Sequence, residues 1–473
     1  MASTPVNITP EPRNALLFKE WLVSHGGSFH PGVRYSSCCL SQLDIVASSG
    51  LSIVASEAIE PDATIVSCPF SIIITPLLCK GALLPIFHNA SMLERWTERQ
   101  SIIVYICFHW IASPEIYDTL IHSPYLNTLP SPSQLRTTLH FTEEELDALR
   151  GTNMYGATLD RRQVWEAEWE QCRADLSAVN TEWGKEFTWC RFLTASTYLS
   201  SRAFPSTLLS SSSPSLVQRP DSYPVLIPGI DALNHARGQP VSWVITTPTS
   251  AQHGNTTSTS SSTSSISLVT HNASSPGAEI FNNYGAKPNS ELLLGYGFTL
   301  PANPDDTIVL KIGGTRDITT TNNTTNAAAA AAAAHEVGRE ARGAAAVWGT
   351  IMDAVRTEEE EGDEETPEWQ IILDSADMLR SMTKSLLARL PSPPTPTTGV
   401  PGPGEPDTLR GDVVEMIRHY VLGQREVLQG LLQYADDRET GGVAVARHEG
   451  IVIELDGDGD DDLSEVLGCH QND

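Results

Sequence analysis

Paired cysteines are missing from this sequence: eight cysteines lie scattered along 473 residues and no C-x-x-C occurs. That spacing argues against a structural zinc centre, and a chain this long does not depend on a disulfide framework. Long apolar runs are missing too. The strongest, IIVYICF at 102–108, is far short of the roughly 20 residues a membrane-spanning helix needs, and MASTPVNITPEPR at the start has no apolar signal core. Cations are scarce, with 30 Lys and Arg against 58 Asp and Glu and a net charge of -28. Binding to nucleic acid or to an anionic membrane needs clustered Lys and Arg, so neither is expected as a direct partner. These absences together predict a soluble protein of a reducing compartment, nuclear or cytoplasmic, without a metal.

What is present divides unevenly. The acidic runs EEEEGDEE (358–365) and ELDGDGDDDLSE (454–465) read as solvated segments. The second lacks the Gly at position six and the Glu at position twelve of an EF-hand loop. Residues 14–25 have the spacing of a short amphipathic helix stopped by Gly26-Gly27, and 50–75 reads as two or three short strands around a Pro-Asp turn. Helical spacing follows at 92–112, 132–149 and 160–180, with Thr142 and Glu145 placed as a capping box, and again at 186–204. VSWVITT and ISLVTH are strand-like, and the Thr/Ser tract 246–265 between them reads as an insertion at a hairpin tip, where added length costs little. DDTIVLKI is strand-like. The Ala run 327–334 leads into a predicted helix, and helices at 366–390 and 409–436 flank a Pro/Gly linker. The fold class expected is α+β.

Four short stretches could carry chemistry: SSGLSIVA (48–55), SSRAF (200–204), IPGIDALNHA (227–236) and EIFNNYGAKPNSELLLGYGF (279–298). Each has an ordinary reading. A Gly before a strand is usually a turn, and an Arg ending an apolar helix usually snorkels or pairs. Asp231 and Asn234 can bond their own backbone, and His235 has no His or Cys near it at ligand spacing. In the last stretch we expect a strand over 279–281, a helix capped by Asn289 or Ser290, and core aromatics at Tyr284, Tyr296 and Phe298.

Taken in this order, the four stretches resemble the SET-domain protein methyltransferases, and within them the branch of the Rubisco large-subunit lysine methyltransferase. The resemblance lies in SRAF, DALNH and EIFNNYGAKPNSELLLGYGF, and extends to MIRHYVLGQREVLQGLL (416–432), which looks like the last long helix of that branch's C-terminal domain. It implies a SET fold of short strands with a helical insertion, followed by a mostly helical substrate-binding domain. The implied limits are 1–80, the insertion 81–185, 186–312 with the active site, and 313–473.

The resemblance also implies S-adenosylmethionine as cofactor and a protein lysine as acceptor, the two entering from opposite faces. Ser49 and Leu51 would lie against the cofactor, Arg202 would pair its carboxylate, and Asn234 and His235 would hold its amino group and adenine. Asp231 would brace the turn. Tyr284 would be the catalytic residue at the junction, Ser201 would offer its carbonyl beside the amine, and Tyr296 and Phe298 would line the lysine channel. Ser52 and Ser49 depart from the pattern, where the family often has a second Gly and an acid. The chemistry suits these types. A sulfonium methyl is already activated, so alignment does most of the work, and a dry channel beside positive sulfur favours the neutral amine. A histidine acceptor, or a SET-fold binding module without turnover, are the alternatives. The acidic balance favours a basic partner segment, such as one from a ribosomal protein or histone.

Overall fold

A computed structural model describes residues 10–36, 50–113, 119–210, 215–247, 264–312, 333–359, 366–394 and 409–453. Two compact units are distinguished, one of residues 1–307 with 389–424 and one of 308–388 with 425–473. Ser49, most of the Thr/Ser tract, most of the acidic run 358–365, most of the Pro/Gly linker and the acidic tail lie outside the described residues.

The first unit begins with α1 (Arg13–Ser24), which buries Ala15, Phe18 and Leu22 on one face, as its spacing requires. Strands β1 (Ser28–Phe29), β2 (Val33–Ser36), β3 (Ser52–Ala55) and β4 (Ala63–Pro69) follow. Then come α2 (Pro76–Phe87), α3 (Ala90–Arg95) and α4 (Glu98–Ile111). The apolar run 102–108 lies within α4, and every one of its side chains is fully buried. It is a central helix, packed by α2, α7 (Asn153–Val179) and α9 (Trp189–Arg202), which accounts for its lack of a polar face. Each fully buried Ile, Val or Phe there contributes on the order of 1.5–3 kcal/mol. Among the described residues no helix is long and apolar enough to cross a membrane.

Between α4 and α9 lie α5 (Ser123–Leu126), α6 (Glu143–Asp147) and α8 (Thr181–Glu186) besides α7. After α9 come β5 (Phe204–Pro205), β6 (Pro224–Val225), β7 (Val241–Thr246) and β8 (Ser265–Thr270). One antiparallel sheet has the order β1-β4-β8-β7, and β2 with β3 and β5 with β6 form separate pairs. Thr246 faces Ser265 across β7 and β8, so the Thr/Ser tract joins two neighbouring strand ends. In β8, Ile266, Leu268 and Thr270 alternate inward, the period of a half-buried strand.

Several sequence expectations change. The predicted helix 92–112 breaks at Trp96, where Thr97 restarts the chain with a capping box to Gln100. Over 132–149 only Glu143–Asp147 is α-helical, with the Thr142–Glu145 box in place. Ser131, Leu135, Thr137 and Phe141 are extended there, and leave room only for single 3-10 turns at 132–134 and 138–140. Residues 279–281 form no strand. Glu279 makes one isolated bridge to Val54, and Asn282 then pairs with His235 instead of continuing along β3. Asn289 is not a cap. Pro288 holds that position and Asn289 is buried as the first residue of α10 (Asn289–Glu291). The segment Leu292–Tyr296 continues as a π-helix.

In the second unit, β9 (Thr307–Ile312, its first residue belonging to the first unit) pairs with β10 (Ala333–Gly338). The predicted helix therefore starts later than expected, at Ala344: strand pairing overrides helix propensity over 333–338, while 327–332 lie outside the described residues. Positive φ at Glu340, Ala341 and Gly343 turns the chain before α11 (Ala344–Glu359). α12 (Glu368–Arg389) matches expectation, and α13 (Gly411–His448) runs twelve residues beyond it, its first part in the first unit and the remainder from Arg425 in the second. Arg380 of α12 bonds Asp436 at 3.1 Å in this unit.

Candidate active site

α9 supplies the first group. Thr188 caps its start, Phe192 to Leu199 bury its apolar stripe, and extended Ala203 ends it, so Ser201 and Arg202 occupy the last turn. A cation is favoured there by the helix dipole. Arg202 Nη1 donates to the Asp231 carbonyl at 2.9 Å and to Asp231 Oδ2 at 3.4 Å. Asp231 lies on the 3-10 turn Ile230–Ala232. That turn requires Gly229, whose φ is +87° and whose Cβ would meet Val66 at 3.0 Å. Tyr125 O–H donates to Asp231 Oδ2 at 2.7 Å. Asp231 thus holds Arg202, the bracing role expected of it extended to the guanidinium. Burial pushes its carboxyl up against the opposing pull of Arg202.

Two segments then cross. Asn282 N–H donates to the Asn234 carbonyl at 2.7 Å, and Ala236 N–H to that of Asn282 at 2.9 Å. The Asn234 amide nitrogen donates to Glu279 Oε1 at 2.7 Å and to Ser52 Oγ at 3.2 Å. His235 Nδ1 accepts from the Tyr284 N–H at 3.0 Å, which requires the neutral ring. Burial, aided by the nearby Lys287 charge, lowers the pKa of His235 to about 4. Tyr284 O–H donates to the Leu233 carbonyl at 2.9 Å, and burial pushes its pKa well up.

The π-turn completes the site. Gly297, at φ +81°, reverses the chain where a Cβ would meet the Arg136 and Thr137 backbone at 2.8 Å. Tyr296 is thereby laid on Tyr284, with ring centroids 5.3 Å apart at 26°, and Phe298 returns to within 6.2 Å of both Tyr296 and His235. His235 stacks on the other side of Tyr284, 5.1 Å away. Buried Asn289 staples the loop: it accepts from the Leu300 N–H at 2.8 Å and donates to the Leu300 carbonyl at 2.9 Å and to Asp306 at 3.2 Å.

Two pockets meet at this stack. One, of about 370 Å³, is bordered by Ala203, Pro205, Gln218, Tyr223, Lys287 and Glu291. The other, of about 70 Å³, is bordered by Pro130, Gln134, Arg136, Asn234, Gly297 and Phe298. Ser201, Arg202, Tyr284 and Tyr296 line both. Of the residues singled out in the sequence, these four, Asp231, Asn234 and Phe298 are on pocket walls, Asp231 on the larger and Asn234 and Phe298 on the smaller. His235 stands behind Tyr284. Leu51 borders a separate recess of about 10 Å³ beside Arg202 and Asp231. The Ser201 hydroxyl turns inward to the Thr197 carbonyl at 2.7 Å.

The smaller pocket can take an α-amino-acid head. Arg202 makes its bonds through Nη1, and its Nε and Nη2 have no partner among the described residues, leaving a guanidinium edge suited to a carboxylate. With its nitrogen spent on Glu279 and Ser52, Asn234 offers an oxygen suited to an ammonium. This donor edge and this acceptor fit the methionine part of S-adenosylmethionine. Glu279, Tyr125, the 130–136 wall and Lys287 with Glu291 escaped the sequence reading. The alternation of acid and apolar side chain at 279–281 was the only signal for Glu279, and it pointed to a strand.

No family model matches the chain. It is 31% identical over 260 residues to the ribosomal lysine N-methyltransferase set10 of Schizosaccharomyces pombe, covering 55% of this chain and 41% of that protein. It is 28% identical over 229 residues to ribosomal lysine N-methyltransferase 1 of Saccharomyces cerevisiae, covering 42% and 35%. The chain therefore spans less than half the length of these relatives. Among solved structures, the SET domain of LSMT bound to lysine and AdoHcy superposes with a TM-score of 0.62 at 18% identity, covering 96% of this chain and 98% of that one.

Proposed function

We propose that this chain, whose fold is that of the LSMT SET domain, is an S-adenosylmethionine-dependent protein-lysine N-methyltransferase. The observation that carries the reading is the shared wall: Ser201, Arg202, Tyr284 and Tyr296 border both pockets. A donor held in one and an acceptor in the other would meet across Tyr284.

In this reading Arg202 grips the cofactor carboxylate through its unmatched edge, and the Asn234 oxygen accepts from the amino group. Asp231 and Tyr125 hold Arg202 in place. His235 fixes the Tyr284 backbone and stacks on its ring. When bound, the cofactor supplies a methyl group already activated by its sulfonium. Tyr284 and Tyr296 form aromatic walls that exclude water from the acceptor amine and so favour its neutral form. A neutral amine in the larger pocket would take the methyl group in line as its bond to sulfur breaks, leaving a neutral thioether, and the methylated ammonium would lose its proton to water. Proximity and orientation supply most of the rate. Phe298, expected in the lysine channel, borders only the smaller pocket and so stands on the cofactor side in this reading.

The relatives' names, the acidic net charge and Glu291 at the larger pocket support a basic ribosomal-protein segment as substrate, in preference to a histone tail. Work on such a substrate belongs to the cytoplasm or nucleus. The test is incubation of the full chain with methyl-labelled cofactor and fractionated ribosomal proteins, followed by hydrolysis. Label in methyllysine is the expected result. Label in methylhistidine would instead favour the histidine reading, and no label would favour a binding module.

A further inference from the structure

We infer that Glu279 is a positioning residue for cofactor recognition: it orients the Asn234 amide so that oxygen, not nitrogen, faces the smaller pocket. The inference rests on the reading of that pocket given above. An asparagine amide is nearly symmetric in shape, so something outside it must decide which end it presents. Here a carboxylate decides. Glu279 Oε1 lies 2.7 Å from the amide nitrogen, and Ser52 Oγ takes its second N–H at 3.2 Å. Glu279 and Ser52 thus take the two N–H groups of one amide, and the three side chains form one network. A flipped amide would set its oxygen against the carboxylate, an acceptor against an acceptor.

The backbone holds Glu279 for this task. Ala55 N–H donates to the Ala278 carbonyl and Ile280 N–H to the Ile53 carbonyl, each at 2.8 Å, so Glu279 is clamped to the strand that carries Ser52. Glu279 borders neither pocket and acts only through Asn234. It has no cationic partner among the described residues, so an ion pair does not account for a carboxylate held at this depth. Burial raises its pKa, and the Asn234 and Ser52 side chains oppose that rise. Ser52 departs from the glycine common at this place, and its hydroxyl completes the network.

The consequence is selective: Glu279 matters for ligands that bring an ammonium to Asn234 and not for those that lack one. The experiment measures binding of S-adenosylhomocysteine and of 5′-methylthioadenosine, which lacks the amino-acid part, to the full chain by calorimetry. Glu279→Ala is expected to weaken S-adenosylhomocysteine by about tenfold, the scale of a hydrogen bond to a charged group, and to leave methylthioadenosine unchanged. Glu279→Gln is expected to retain most of the affinity, because its amide oxygen still accepts from Asn234. Thermal melting of each variant reports folding. Equal loss of both ligands, or none, in Glu279→Ala would overturn the inference alone. Failure of the unaltered protein to bind S-adenosylhomocysteine would overturn the reading of the pocket and this inference with it.

Discussion

The two pockets that meet at Tyr284 are built differently. The smaller has a wall residue of its own, Asn234, whose amide is oriented by half-buried Glu279 and buried Ser52, and it shares with the larger Arg202, which Asp231 and Tyr125 hold. The larger carries Gln218, Tyr223 and an ion pair of Lys287 with Glu291, whose carboxylate is half exposed. Preorganisation costs flexibility, and suits a ligand that never changes. An adaptable mouth suits a peptide. In the proposed reading, the fold fixes the Asn234 amide for the cofactor and leaves substrate choice to surface side chains.

The strongest way to break the contrast is Arg202→Met. Asp231 would be left as a buried, unpaired carboxylate, and breaking such a pair costs about 3–5 kcal/mol. Urea denaturation should show that loss, and cofactor binding should disappear.

Acid should act next, through the neutral rings. His235 and His109 have pKa values lowered to about 4, and His122 to about 3, each mainly by burial. Protons therefore bind the unfolded chain more readily, and stability is complete above about pH 6.5 and falls as pH drops towards 4. For His235 alone the loss reaches about 3 kcal/mol by pH 4. The raised pKa values of Asp231 and Glu279 work in the opposite sense as pH falls through them. Melting temperatures across that range check the sign.

Gly297→Ala sharpens the comparison at the shared wall. Its φ of +81° and the backbone 2.8 Å away predict a loss of about 1–3 kcal/mol and a displaced Tyr296. Methyl transfer should fall more than folding stability does. The smallest effect belongs to the larger pocket. Lys287 lies 5.5 Å from the Tyr296 ring centroid and pairs with Glu291. Glu291→Gln should change stability by less than about 1 kcal/mol, while raising KM for basic peptides and weakening its salt dependence.

Much of this was legible in order and spacing. The stripe of α9 placed Ser201 and Arg202 near its end, and strand-like spacing marked β7 and β8. What escaped depends on partners far along the chain. β1 and β2 are too short to announce themselves and exist because Ser28 faces Ser67 and Val33 faces Ala55. Tyr125 reaches Asp231 across 106 positions, and Glu279 reaches Asn234 across 45. Local propensity carries no trace of such pairings. The strand at Ala333–Gly338 was hidden for the same reason, since only its partner β9 makes alanines extend.

The central claim is that transfer happens where the two pockets share Tyr284. The most direct measurement is single-turnover methyl transfer to a ribosomal-protein substrate by Tyr284→Phe, with cofactor affinity measured on the same sample. Without its bond to the Leu233 carbonyl the ring is no longer fixed at the junction, which should slow the chemical step by about a hundredfold while cofactor binding stays close to that of the unaltered protein. Unchanged turnover by that variant would contradict the account.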